Sequence, residues 1–421
     1  VLLALIYRNI LGDRMKEKLL YLCHRIPFPA NKGDKITTCN TLKFLSQHYD
    51  IYLGCFIDDP FDHRYISDVE SYCKETLFID LNTQLAKVKG LKAFLTGNPI
   101  TLPYYYHPKM QKWVQDTVRT QQIHKAFIYS GCMAQYVLGN EMSSLHKVIQ
   151  FADIDSDKWR QYAEKTRGIM HWIYQREHRT LAKFERYVAG KFAVSCFISD
   201  NETQLFREMV ADKPALHDHI QTLSNGIDCD FFSPHAKTQL DEDYPLAQQN
   251  YVIFTGAMNY WANADAVTWF VETIWPKVHQ ALPDSKFYIV GSSPTKEVQE
   301  LQHIPGVVVT GRVEDVRPYL HHAKAAVAPM QIARGIQNKI LEAMAMEKPV
   351  LTTGLGIEGI EEYPEKDVFV SDSPQEIVSW VTNKLTDNIY QATQSRTWLE
   401  STYSWPAKLN PLLGYLGSHH D

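Results

Sequence analysis

The stretch ARGIQNKILEAMAMEKPVLTTG, Ala333 to Gly354, carries the residues best suited to chemistry. Gly335 has no Cβ and permits a sharp turn. Ile336, Ile340, Leu341, Met344 and Ala345 recur at helical spacing, which predicts a helix over 336–346 with one face on a core. Pro349 ends that helix, and Val350-Leu351-Thr352 reads as the next strand. A helix N-terminus flanked by Arg334 and Lys339 offers aligned N–H groups and positive charge to an anion such as a diphosphate. Glu342, a carboxylate among alanines and methionines, can accept hydrogen bonds from a ribose diol. Taken singly it is a solvated helix carboxylate. Taken with its neighbours it completes a nucleotide site.

Two further stretches hold candidates. FADIDSDKW puts Asp153 and Asp155 where a strand ends and a helix begins, and ligands of open α/β sheets sit at the carboxyl ends of strands. Ser156 or Asp155 is expected to cap that helix, and Asp157 reads as plain N-capping. CHRIPFPANKGDK is a loop after the strand Lys18–His24, with Gly33 as a turn residue and Asp34 expected to cap the following helix. Asn225-Gly226 is a turn signal.

Positioning these groups requires alternating strands and helices. In the first half, YDIYLGCFI, TLFIDL, KAFIYS, KVIQFADI and FAVSCFIS read as strands. One long helix is predicted over 156–189, basic and aromatic, with a packed aromatic face or a face for anionic lipid. In the second half YVIFTG, KFYIVG, GVVVTG, AAVAPM and PVLTTG are five short strands, with helices at 263–281, 316–323 and 336–346. This is an α/β pattern of parallel sheets covered on both faces. The polar stretch 236–250 reads as a linker between domains at 15–235 and 251–390, and 391–421 as a helix returning to the first. Residues 1–14 read as an upstream extension ahead of Met15, or alternatively as a short membrane-surface anchor.

NKILEAMAMEKPVLTT resembles the nucleotide-sugar helix of GT-B fold glycosyltransferases, specifically glycosyltransferase family four. The wider pattern is similar to bacterial sugar transferases associated with PEP-CTERM exopolysaccharide systems. CHRIPFPANKGDK, FADIDSDKWRQYA, SNGIDCDFF, FTGAMNYWANADA, VTGRVEDVRPYL and GIQNKILEAMAMEKPV follow one another across most of the chain. The resemblance implies two Rossmann-like, doubly wound domains facing a cleft. It implies retaining, metal-independent transfer of a sugar from a nucleotide-diphosphate sugar to a glycan or lipid-linked acceptor, with no cofactor. The expected donor-binding residues are Gly256, Asn259, Asn263, Arg312, Gly335, Ile336 and Glu342. The expected catalytic residues are Asp153, Asp155, Lys339 and Arg334, and Gly33, Asp34, Asn225 and Gly226 belong to the acceptor side. The chain departs from the family twice. The first of its usual two glutamates falls on Arg334, and the Arg and Lys expected after the first strand of the second domain are missing from GAMNYWANAD. Arg334, Lys339 and Arg312 are read as a relocation of that charge.

Composition narrows the alternatives. A 421-residue chain with 45% hydrophobic and 22% charged residues can bury two cores. A net charge of -5 argues against a nucleic-acid partner. Seven cysteines without CxxC spacing suit reduced thiols of the cytosol, and the paired histidines lack partners at metal-ligand spacing. A cytoplasmic protein, free or peripheral to the inner membrane, is expected. An NAD-dependent oxidoreductase lacks its GxGxxG after a strand. A catalytically silent GT-B homologue, acting as scaffold or sensor, is the other reading kept.

Overall fold

The computed structural model describes residues 16–417 apart from 85, 87–89, 91–92, 94–96, 236–243, 334 and 388–391. The expected extension 1–14, half of the expected linker and Arg334 lie outside the described residues. The chain divides into two units, Val1–Asn225 with Lys408–Asp421, and Gly226–Ala407.

The first unit holds β1 (Glu17–Cys23), β2 (Tyr49–Ile57), β3 (Glu75–Asp80), β4 (Lys125–Tyr129), β5 (His146–Ala152), β6 (Val194–Phe197) and β7 (Ile220–Thr222). They form one seven-stranded sheet in the order β3-β2-β1-β4-β5-β6-β7, every pair parallel. Leu19 to Cys23 in β1 are fully buried, the continuous apolar run of a strand covered on both faces. The helices used below are α1 (Gly33–His48), α2 (Pro108–Gln121), α3 (Asp155–Glu164), α4 (Gly168–Ala189) and α5 (Asp200–Met209). The second unit holds β8 (Tyr251–Thr255), β9 (Lys286–Val290), β10 (Val307–Gly311), β11 (Ala325–Ala328), β12 (Val350–Thr352) and β13 (Val368–Val370) in the parallel order β10-β9-β8-β11-β12-β13. Its helices include α6 (Trp261–Thr273), α7 (Trp275–Ala281), α8 (Asn338–Ala345), α9 (Pro374–Thr386) and α10 (Thr393–Thr402). Each sheet reverses its winding once, between β1 and β4 and between β8 and β11, and ligands of doubly wound sheets bind at such switch points. After α11 (Trp405–Tyr415), Tyr415 and Gly417 offer their carbonyls to His146 at 2.7 Å and Lys125 at 3.3 Å.

Several local expectations are corrected. The helix predicted over 156–189 is two helices, because Gly168 takes φ +67°, a left-handed value that a residue without Cβ adopts freely. The helix predicted over 263–281 is α6 and α7, divided at Ile274 ahead of Pro276. The second sheet has a sixth strand, β13, and the first gains β7; both have only three residues, too short for periodicity to mark. The expected caps are not made. Asp34 lies inside the first turn of α1, and the N-cap position is Lys32, whose side chain makes no capping hydrogen bond. The start of α3 is satisfied from afar: Ile154 N–H donates to Glu202 of α5 at 2.7 Å and Ser156 N–H to Glu185 of α4 at 3.1 Å. Asp157 instead accepts from Arg160 at 2.6 Å and Gln161 at 2.8 Å. Within the expected linker 236–250, Leu246 is buried in the core of the second unit.

Lys35 of α1 and Asp62 are both almost fully buried and form an ion pair. Removing one partner strands the other charge out of water. Lys35→Met should lower the stability of the first unit by about 3–5 kcal/mol, and Lys35→Met with Asp62→Leu should recover most of it. Urea unfolding of the three proteins measures this, and a single variant as stable as wild type would refute it.

Candidate functional site

In the second unit the carboxyl ends of β8 and β9 are pressed together. A Cβ on Gly291 would stand 1.6 Å from the Gly256 carbonyl oxygen. One on Gly256, whose φ is +151°, would stand 2.7 Å from Asn263 Nδ2. Glycine is therefore required at both positions, and the backbone after β8 is left bare of side chains. Asn263, in the first turn of α6, is buried. Its Nδ2 donates to Ala257 O at 3.0 Å, and its Oδ1 has no partner among the described residues.

Lys339 reaches this corner from α8. Its ammonium lies 5.3 Å above the Phe254 ring centroid, 3.9 Å from Met330 Sδ and 3.2 Å from Gln337 Oε1. Phe254 belongs to β8 and Met330 follows β11, so Lys339 stands at the switch point of this sheet. Glu342 is three residues on, on the same side of the helix. Burial pushes the Glu342 carboxyl up to about 7, against the pull of Lys339. Burial brings Lys339 down to about 8, against the pull of Glu342. Each charge is therefore held where a neighbouring dipole or ion counts for more than in water. The pair offers a cation to a phosphate and an acceptor to hydroxyls. Gln337, the residue ahead of α8, makes no side-chain cap, so the first N–H groups of that helix are also available to an anion.

The remaining second-unit candidates sit around this corner or away from it. Gly335 has φ +63° and is exposed, forming the turn into α8. Ile336 packs against the core, and α8 begins at Asn338, two residues later than its periodicity suggests. Asn259 is exposed in the loop after β8. Arg312 is exposed beyond β10, the edge strand two places from β8. A Cβ on Gly226 would stand 2.5 Å from Trp405 N, so that glycine serves a close backbone approach.

The first unit has a cavity of about 260 Å³ at the carboxyl ends of β1, β4 and β5. It brings together Gly33, Asp34, Asp153, Asp155 and Asn225 from the candidates above, and adds His24, Thr37, Tyr129, Ser130, Ala152 and Lys158. His24 Nε2 lies 3.3 Å from Asp34 Oδ2, and Arg25 donates to the same oxygen at 2.9 Å. Burial disfavours the Asp34 anion, but the hydrogen bonds and charges of His24 and Arg25 win and hold it well below the usual carboxylate range. The His24 ring is stacked on Tyr129 at 6.0 Å and edged by Tyr105 at 5.6 Å. Lys158 bridges Asp153 at 2.7 Å and Asp155 at 3.3 Å. Thr37 donates to Asn225 Oδ1 at 2.9 Å. Ser130 and Ala152 take φ +76° and +69° without being glycine, strained backbone of the kind that gathers at functional sites. Sequence reading passed over His24, Tyr129 and Ser130. Their signal was position: His24 directly follows β1, Tyr129 ends β4 and Ser130 follows it, and these two strands flank the switch point.

Among the described residues no helix is long and apolar enough to cross a membrane. Residues 249–387 match the family model described as glycosyl transferases group 1. A search of curated proteins found no match. Solved structures share the fold along nearly the whole chain. One is Anabaena Alr3699/HepE in complex with UDP and glucose, at TM-score 0.58 and 14% identity, covering 96% of this chain and 100% of that one. A glycosyltransferase from Rickettsia africae gives 0.56 and 13%, covering 95% and 98%. WaaG, a glycosyltransferase involved in lipopolysaccharide biosynthesis, gives 0.54 and 16%, covering 95% and 100%. At these identities the likeness speaks for the fold, and the domain match speaks for the activity: the chain is a glycosyltransferase of the GT-B fold, with its glycosyl transferases group 1 domain in the second unit.

Proposed function

We propose that this enzyme moves a sugar, with retained anomeric configuration and without a metal, from a nucleotide-diphosphate sugar to a glycan or lipid-linked acceptor. In this reading it is a family-four enzyme of exopolysaccharide or cell-surface polysaccharide assembly, working in the cytoplasm or against the inner membrane. The observation that carries the reading is the Lys339–Glu342 pair beside the glycine-cleared end of β8. Glu342 takes the ribose hydroxyls. Lys339 and the open start of α8 take the diphosphate, whose charge grows as the glycosidic bond breaks. Arg334 is assigned to the same charge from its place in the sequence, whereas Arg312 stands beyond the edge strand β10 and is left out of this assignment. Asn263 Oδ1 accepts from the donor, and Gly256 lets its phosphates approach the backbone. The complexes of Alr3699/HepE with UDP and glucose support a nucleotide-sugar donor.

The first-unit cavity is assigned to the acceptor. His24 is oriented by Asp34, and Asp153 and Asp155 are steadied by Lys158, so each can orient a hydroxyl. Arg334, where the family resemblance puts a glutamate, favours one alternative, a silent homologue that binds nucleotide sugars without turnover. Release of nucleoside diphosphate from a panel of nucleotide sugars decides between them. Binding without release would establish the alternative.

Glu342→Ala should weaken nucleotide binding by ~1–3 kcal/mol, the loss of hydrogen bonds to a charged group. Unchanged affinity by calorimetry in a folded variant would contradict the assignment. Lys339→Ala should lower kcat more than it raises the donor KM, because its charge matters most in the transition state. The pH profile of kcat/KM follows from the same pair. Activity should rise as Glu342 ionises through about 7 and fall as Lys339 loses its proton above about 8. Glu342→Gln should flatten the acid limb and, because the pull of Glu342 on Lys339 is lost, move the alkaline limb to lower pH. Transfer should also survive EDTA, and activity lost in EDTA and regained with Mn²⁺ would refute the metal-free reaction.

A further inference from the structure

We propose that the α3–α4 hairpin of the first unit docks its tip on an anionic lipid surface. The hairpin carries an unusual exposed patch. Tyr162 is 54% exposed, Ile169 75%, Met170 42% and Trp172 58%; the first lies in the last turn of α3 and the others in the first turns of α4, on either side of the connection at 165–167. Lys165 and Arg167 are exposed in that connection, with Arg179 and Lys183 exposed along α4. Among the described residues no acidic side chain pairs with any of these four cations. Glu164, the acid nearest the tip, is taken by Arg160 at 2.7 Å, and Glu177 is buried. An apolar turn edged by unneutralised cations is what an interfacial anchor needs: side chains that leave water for the acyl boundary, and charges that meet phosphate headgroups. Two copies meeting through this patch would set its cations against the same cations, so charge complementarity selects an anionic bilayer as the occupant over a second copy.

The tip is held ready. Trp159, Tyr162 and Tyr174 pack their rings 5.3–6.0 Å apart across the two helices. His171 donates from Nδ1 to Ala163 O at 2.9 Å, and His178 from Nδ1 to Ser156 O at 2.9 Å. Gly168 turns the chain with φ +67°. The other end of α3 opens on the first-unit cavity through Asp155 and Lys158. At 1.5 Å per residue its ten residues set tip and cavity roughly 15 Å apart. Docking thus holds the cavity within reach of a headgroup-borne acceptor. That consequence rests on the acceptor assignment above; the docking does not.

Co-sedimentation of the full chain with vesicles of phosphatidylglycerol and phosphatidylcholine, against phosphatidylcholine alone, tests it. Binding should require the anionic lipid and weaken with salt. Ile169→Ser with Trp172→Ser should cut partitioning at least about tenfold, the scale for one large apolar side chain kept in water. Lys165→Glu with Arg167→Glu should cut it further, by about fivefold for each charge removed. Circular dichroism and thermal melting in the absence of vesicles confirm that the variants are folded. No sedimentation with anionic vesicles, equal binding by the tip variants, or a tip-dependent dimer in vesicle-free solution would each overturn the proposal. Loss of donor hydrolysis chemistry would not touch it.

Discussion

Partial burial of charge at the carboxyl ends of parallel strands is the constraint on which both sites depend. A doubly wound sheet buries its strands on both faces, so polar chemistry is pushed to the strand ends, where backbone groups and side chains first meet water. In the second unit Lys339 and Glu342 are carried to that border on one short helix. Burial raises one acidity constant and lowers the other, and each residue limits the shift of its neighbour. In the first unit Asp34 stays ionised against the same penalty because His24 and Arg25 converge on it.

The helices that deliver these groups are themselves held by carboxylates from elsewhere. Glu185 accepts from the Ser156 N–H and hydroxyl, and burial, reinforced by Asp155, pushes it up to about 8. Glu202 accepts from Ile154. The start of α3, and with it Asp155 and Lys158, is therefore placed by α4 and α5 instead of by its own capping residues. The hairpin is a structural unit in which the cavity end depends on remote acids and the exposed end on an aromatic clamp.

Close backbone contact does the corresponding work in the second unit. Gly256 and Gly291 approach each other so nearly that no side chain fits, and Asn263 closes the corner from α6. Thr352 and Thr353 tie the ends of β11 and β12 by donating to Ala328 O at 2.9 Å and Met330 O at 2.6 Å. Met330 is the residue whose sulfur lies beside the Lys339 ammonium. This corner of the second unit is thus built on backbone geometry, with few side chains at its surface.

The sequence by itself determined the alternation of strands and helices, and with it the parallel α/β class, because period-2 apolar runs and period-3.6 faces are local signals. It also singled out Glu342, Lys339 and the acids of FADIDSD, since each departs from the pattern around it, while Asn263 and Gly256 came from the resemblance to GT-B transferases. It did not reveal β7 and β13, whose three residues are shorter than any periodicity. It did not reveal the break at Gly168, because a glycine in a helical pattern declares neither φ sign. Nor could it join His24 to Asp34, or Glu185 to Ser156, for these partners lie 10 and 29 residues apart and meet only once the unit is folded. Tertiary structure decided those contacts, because the free energy that fixes them comes from burial shared among several elements, which no one segment carries.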